Sequence, residues 1–371
     1  MQVPIFISMW IKLCSANHSS YFLGLKIKDK IVFDQDFMSK KYDVYGIGNA
    51  LVDMEFEVSD EFLDKHDVQK GVMTLVDEET QFKLIEDINR KETVEKPGGS
   101  AANTVFAVNQ FGGKSFYSCK VANDKFGDLY LENMREAGID TNFDYQDREE
   151  GITGKCLVMV TDEAQRTLNT FLGITSTLSP KEINERAIHD SEYAYIEGYL
   201  VSSDSGFEAM KQTKKIAQQQ GVKTALTLSD PAIAEAFRDR FDEVIGASVD
   251  LLFCNEEEAK IYTDKDDIME ARSLLKKEAK RFVITQGANG AMIYDGETFI
   301  DIEPYEVNAV DSNGAGDMFA GAFLYGITNG LGYAGAGRLA SLAGSKIVSQ
   351  FGPRLEWPQA QDILRSISST D

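Results

Sequence analysis

From Tyr42 onward, apolar runs of strand length alternate with amphipathic runs of helix length. Such a chain is driven toward an α/β fold with a mostly parallel central sheet, because each crossover helix must cover the strands it joins. "DVYGIGNAL" reads as a first strand ending at Gly48-Asn49, and "SAANTVFAVNQFGG" as a helix stopped by glycines. "KSFYSCKVAN" reads as a strand, and "FGDLYLENMREAG" as a helix ending at Gly138. The rhythm resumes with the strand "EYAYIEGYLV", a helix over 206–220, the strand "KTALTLS", and "VDLLFCNEEEA", a strand running into a helix. A helix over 267–279, the strand "RFVITQG", the hairpin-like "GAMIYDGETFID" and two C-terminal helices complete it. Two stretches, 58–77 and 143–173, are strand-rich and show no crossover helix. They predict a small β lid drawn from about 54–77 and 143–173, of the kind that excludes water during group transfer. No repeat, low-complexity tract or linker interrupts the chain, so residues 38–371 are expected to form one main domain with a lid.

The first 37 residues differ in character. "MQVPIFISMWIKLC" is apolar but too short to span a bilayer. Lys12 follows the apolar residues instead of preceding them, and no good cleavage site is evident, which argues against a secretory signal. Residues 1–37 are expected to be a disordered or wrongly assigned extension, with Met38 as the natural start.

Composition excludes several functions. The formal net charge of −22 argues against nucleic acid or an anionic membrane as a partner. Cys14, Cys119, Cys156 and Cys254 form no C-x-x-C pair or metal spacing and suit a reducing cytoplasm. His18, His66 and His189 sit in no motif, so a general base is expected to be a carboxylate.

Two glycine clusters carry the chemistry. "VDSNGAGDMFAGAF", residues 310–323, places Gly314, Ala315 and Gly316 at the start of an apolar helix, directly before Asp317. Backbone N–H groups at a helix start lack internal partners and carry partial positive charge, so they can hold an anion. Neither a Walker A loop nor a G-x-G-x-x-G fingerprint occurs. "EKPGGSAANT", residues 95–104, sets Gly98 and Gly99 before another helix, with Asn103 as donor and acceptor. Asp53, just after the first strand, can accept two hydroxyl protons from a sugar. Each piece also has a purely structural reading: tight helix packing for the Gly-Ala-Gly start, a turn for the glycine pair, a helix cap for Asn103, a solvated loop position for Asp53.

Taken together and in this order, "GGSAANT" and "DSNGAGDMFAGAF" resemble the two signatures of the PfkB/ribokinase family of small-molecule kinases, over about Tyr42 to Phe351. The resemblance implies a ribokinase-like three-layer α/β sandwich with a central, mostly parallel sheet and a small β lid. It implies ATP-dependent phosphorylation of an alcohol, with Asp317 as the general base and Gly314, Ala315 and Gly316 as the anion hole. Asn255 and Glu258 in "CNEEEA" match the family's N-x-x-E motif, which organises Mg²⁺ through water. Thr285 and Gly287 resemble its nucleotide contacts, and Asp311 its monovalent-cation ligand, which implies K⁺.

Within the family the chain looks most like adenosine kinases. "RTLNTFLGI" resembles their R-S-L-x-x-N-L-x-A stretch and makes Arg166 a candidate for stabilising phosphate charge. "LTLSDPAI" resembles their N-L-S-A-P-F-I, but Ala232 stands where their adenine-stacking phenylalanine falls and Thr227 where their asparagine falls. An alanine cannot stack a purine, so another lid aromatic such as Phe56 must do so, or the acceptor is not adenosine. The expected reaction is phosphorylation of a primary hydroxyl on a ribose-containing acceptor, adenosine or another purine nucleoside first. A sugar kinase of the same family and a non-catalytic nucleoside or sugar sensor are the alternatives. The expected partners are the acceptor and ATP, in a monomer or homodimer.

Overall fold

The apolar runs form strands in a computed structural model that describes residues 40–88, 94–143, 147–161, 166–246 and 249–368, and a short hairpin nearer the N-terminus. That hairpin is β1 (Leu25–Ile27) paired antiparallel with β2 (Lys30–Val32). The rest of the segment expected to be an extension lies outside the described residues.

The strands that follow are β3 (Tyr42–Ile47), β4 (Leu51–Glu57), β5 (Met73–Leu75), β6 (Val94–Gly98), β7 (Ser115–Ser118) and β8 (Asp140–Thr141). Then come β9 (Gly154–Val160), β10 (Arg166–Phe171), β11 (Ser191–Ile196), β12 (Lys223–Thr227) and β13 (Leu251–Asn255). β14 (Phe282–Thr285), β15 (Ala291–Tyr294) and β16 (Phe299–Ile302) complete the set. Nine strands form the central sheet in the order β16-β15-β14-β13-β12-β11-β3-β7-β8. The ladders from β14 through to β8 are parallel, and β15 pairs antiparallel with both its neighbours.

A parallel sheet needs cover on both faces, and successive side chains alternate between them. Val44, Ala225 and Phe253 enter one apolar cluster, while Tyr45, Leu226 and Leu252 enter the other. The first cluster takes in the helices Ser100–Gln110, Lys125–Glu136, Ala315–Thr328 and Gly332–Val348. The second takes in Asp204–Gln219, Arg238–Ile245 and Glu256–Thr263. This is the three-layer α/β sandwich. Two helices of the first layer cross tightly: a Cβ on Gly321 would lie 2.4 Å from the Thr104 carbonyl and 2.5 Å from Ala107.

A second, five-stranded sheet has the order β5-β10-β9-β4-β6. β4 follows β3 after only three residues, so the chain passes directly from one sheet to the other. Glu197 clasps that passage. Its Oε1 accepts the Asn49 N–H at 3.0 Å and the Asn49 side-chain amide at 2.9 Å, and its Oε2 accepts the Ala101 N–H at 2.8 Å. Gly48 makes room for it, since a Cβ there would meet Oε2 at 2.4 Å.

The structure differs from the sequence reading in several elements, and it adds the helices Glu78–Ile88, Glu185–His189, Pro231–Ala236 and Arg238–Ile245, which that reading did not give. β6 belongs to the second sheet. A short helix, Asp60–Lys65, stands inside 58–77 because Ser59 caps it and Asp60 and Glu61 suit its first turn. The C-terminal region holds three helices, the last being Trp357–Ser368, whose Ala360, Ile363 and Ile367 recur at helical spacing and enter the core. Among the described residues, no helix is long and apolar enough to cross a membrane.

Candidate active site

The helix Ala315–Thr328 begins at Gly314, which has φ +74°. Any side chain there would be strained by that φ, and its Cβ would also lie 2.4 Å from Pro353. The first i→i−4 bond runs from the Met318 N–H to the Gly314 carbonyl at 2.8 Å. The N–H groups of Gly316 and Asp317 precede it. A Cβ on Gly316 would meet nothing within 4 Å, so the main chain lies bare to the cavity. Ala315 differs: its N–H turns to the Ser312 carbonyl at 3.3 Å, and its methyl packs on the apolar cluster. Gly314 and Gly316 line the cavity; Ala315 does not.

Asp317 stands at the third position of this helix. One oxygen accepts the Ser100 hydroxyl at 2.7 Å and the other the Asn103 amide at 3.1 Å. Burial pushes its carboxyl up to about 6, against the opposing pull of these two donors and of Arg354. Ser100 and Asn103 share the first turn of the helix Ser100–Gln110, so the tight crossing at Gly321 brings both glycine clusters to one place.

Asp53 projects from the middle of β4 into the same cavity. Burial pushes its carboxyl up to about 7, while Arg354 and Arg166 pull it down. It accepts no hydrogen bond among the described residues, which leaves its oxygens for a ligand. Gly98 serves this carboxylate: a Cβ there would lie 2.5 Å from Asp53 Oδ2. Gly98 itself does not line the cavity. Gly99 does, and its φ of +99° and the Asn49 carbonyl, 2.3 Å from a Cβ there, require glycine.

On the opposite side lie Asn255, Glu258 and Thr285. Asn255 caps the helix Glu256–Thr263, its Oδ1 accepting the Glu258 N–H at 2.8 Å. Glu258 answers by accepting the Asn255 N–H at 3.1 Å and its amide at 2.7 Å. Burial pushes Glu258 up to about 7. The motif is a closed capping box that faces the cavity. No bare carboxylate oxygen remains for direct coordination, but the donor set fits a hydrated Mg²⁺ held through its waters. Gly287, at φ +56°, lies outside the lining.

Arg166 and Asp311 pair with one another, Nη2 to Oδ2 at 2.8 Å, and Glu55 lies 3.8 Å from the same nitrogen. Asp311 also accepts the N–H groups of Asn313 and Gly352, each at 3.0 Å, and its side chain is only 2% exposed. An alkali cation needs several open oxygens, and these are taken. The Asp311 carboxylate, engaged in this way, is no open ligand for K⁺, and neither Arg166 nor Asp311 lines the cavity.

The cavity has a volume of about 360 Å³ and runs from Asp53 past Asp317 to Thr285. Beside it opens a smaller chamber of about 100 Å³, walled by Met73, Leu75, Leu172 and Ile233. The two share Leu51, Gly99, Ser100 and Tyr199. Phe56, expected as a stacking ring, is 3% exposed and packs in the core instead, because its alternate position on β4 faces away from the cavity. Ala232 is exposed, and its neighbour Ile233 reaches the chamber. Sequence reasoning missed Ser100, Tyr199 and Arg354. Ser100 adjoins a recognised glycine pair and was within reach; nothing local marks the other two.

The arrangement presents a carboxylate able to take a proton beside backbone donors able to hold an anion. Residues 72–360 match the family described as pfkB family carbohydrate kinase. An adenosine kinase of Saccharomyces cerevisiae is 26% identical over 305 residues, covering 76% of this chain and 88% of that protein. A ribokinase of Mus musculus is 32% identical over 237 residues, covering 62% and 70%. The crystal structure of an adenosine kinase from Sinorhizobium meliloti superimposes with a TM-score of 0.81 at 30% identity, covering 89% of this chain and all of the other (100%).

Proposed function

This chain belongs to the pfkB family of carbohydrate kinases and is an ATP-dependent sugar or nucleoside kinase; from that premise we propose that it phosphorylates the 5′-hydroxyl of a purine nucleoside, adenosine first. The observation that carries this reading is the apolar chamber beside the catalytic cavity. A free sugar has no apolar body to fill it, whereas a nucleobase does. Asp53, which lines the larger cavity together with Asp317, would hold the ribose hydroxyls with charge-assisted hydrogen bonds.

With the ribose held, the 5′-hydroxyl gives its proton to Asp317 as its oxygen bonds to the γ-phosphorus. The bond from that phosphorus to the β,γ-bridging oxygen breaks, and ADP leaves. The Gly316 and Asp317 N–H groups meet the charge on the transferring phosphoryl group. Asn255 and Glu258 would hold Mg²⁺ through its waters, and the ion would supply charge neutralisation for the phosphates. The buried thiols Cys119, Cys156 and Cys254, none in a disulfide, are consistent with a cytoplasmic setting.

The test compares adenosine, inosine, guanosine, ribose and fructose with ATP and Mg²⁺, scored by ADP release. A purine nucleoside should give the highest kcat/KM, and Asp53→Ala should abolish most of it. The mouse ribokinase relative makes a free sugar the rival acceptor. Preference for ribose or fructose would overturn the nucleoside reading and leave the kinase chemistry standing.

A further inference from the structure

Arg354 lies in the loop between the helices Gly332–Val348 and Trp357–Ser368, far in sequence from every glycine cluster. Its Nε donates to Asn103 Oδ1 at 2.9 Å and its Nη1 to Asn133 Oδ1 at 2.7 Å. The guanidinium carbon lies 4.2 Å from the centre of the Phe106 ring. Its third nitrogen, Nη2, is buried with no hydrogen-bond partner among the described residues. A buried cation is costly unless something uses its charge.

A guanidinium can only donate, and a carboxylate can only accept. Asn103 stands between the two. Arg354 therefore holds the carbonyl end of the amide, which leaves the NH₂ end for Asp317 at 3.1 Å. Reversing the amide would break both contacts at once. We propose that Arg354 is a positioning residue for phosphoryl transfer: it fixes Asn103 in the orientation that holds Asp317.

Among the described residues, the titratable groups coupled to Asp317 include Asp53 from β4, Tyr195 and Glu197 at the end of β11, Tyr199 in the turn beyond it, and Arg354. Arg354 is the one cation in that set. Its charge also opposes the burial of Asp53. Both carboxylates of the site thus depend on a side chain that does not line the cavity.

This proposal rests on Asp317 being the base, so Asp317→Asn is run alongside. Substantial turnover in Asp317→Asn defeats that base assignment itself. If that variant is inactive, Arg354→Met decides the proposal. It should lower kcat about ten-fold or more and move the acid limb of the kcat–pH profile upward by about one unit, with KM for ATP unchanged. A merely structural arginine would lower the melting temperature without moving that limb. Arg354→Lys keeps the charge and loses the fork, so kcat should fall several-fold with the limb in place. An unmoved limb in a folded Arg354→Met protein overturns the proposal. If Arg354→Met does not fold, wild-type kcat in Arg354→Lys overturns it.

Discussion

Asp317 combines two properties a base needs, a fixed position and a raised pKa. Ser100 and Asn103 hold its two oxygens, and burial brings its titration to about 6. Asp317→Asn keeps the shape and removes the proton acceptor, so kcat should fall by about two to four powers of ten with ATP affinity little changed. The pH dependence follows from both carboxylates. For the proposed nucleoside acceptor Asp53 must be ionised to accept the ribose hydroxyls, and burial pushes its carboxyl up to about 7. Both groups take up protons as pH falls, so kcat/KM for the acceptor should begin to drop near 7 and steepen below 6, with a logarithmic slope approaching about two. A single-proton slope down to the acid limit would remove one of the two from its role. At this scale the sequence was readable where chemistry and backbone demand coincide. Gly314, Gly99 and Asp317 are of that kind. Gly98 was found for another reason than its actual one, because only the folded chain reveals that it makes space for Asp53. Arg354 was illegible: its partners Asn103 and Asn133 lie more than two hundred residues away.

Elements fix the site through a few crossings. The close approach at Gly321 ties Ser100 and Asn103 to the helix that carries Asp317. The pair between Arg166 on β10 and Asp311 ties the second sheet to the loop before that same helix. Here a guanidinium stands where family resemblance implied an alkali cation, and its charge is built into the chain. Turnover should therefore be the same with tetramethylammonium as with K⁺ as the only monovalent cation. A several-fold stimulation by K⁺ would mean that Asp311 exchanges Arg166 for the ion. The alternation of apolar runs made the central sheet predictable except for its two-residue edge strand β8. The small elements were harder. A six-residue helix such as Asp60–Lys65 depends on its Ser59 cap more than on any periodicity, and β6 contains a proline and two charged residues in its five positions.

In the whole molecule, residues 40–371 form a compact unit of their own. A chain starting at Met38 should fold and turn over like the full-length protein, as judged by thermal melting and kcat/KM. An insoluble or inactive truncation would assign the first 37 residues a structural role. The division of labour inside the unit has a further consequence. Asp53 stands on one sheet, while the helix start at Gly314 and Asp317 pack against the other, and the chain joins the two sheets through three residues clasped by Glu197. Inheritance can therefore act on the two halves separately. On the proposed function, substitutions in the smaller sheet and its clasp would alter what is gripped and leave the "NGAGD" turn to its phosphoryl group. A change of acceptor would then leave the transfer chemistry in place, and the likeness of this chain both to a ribokinase and to an adenosine kinase accords with that division.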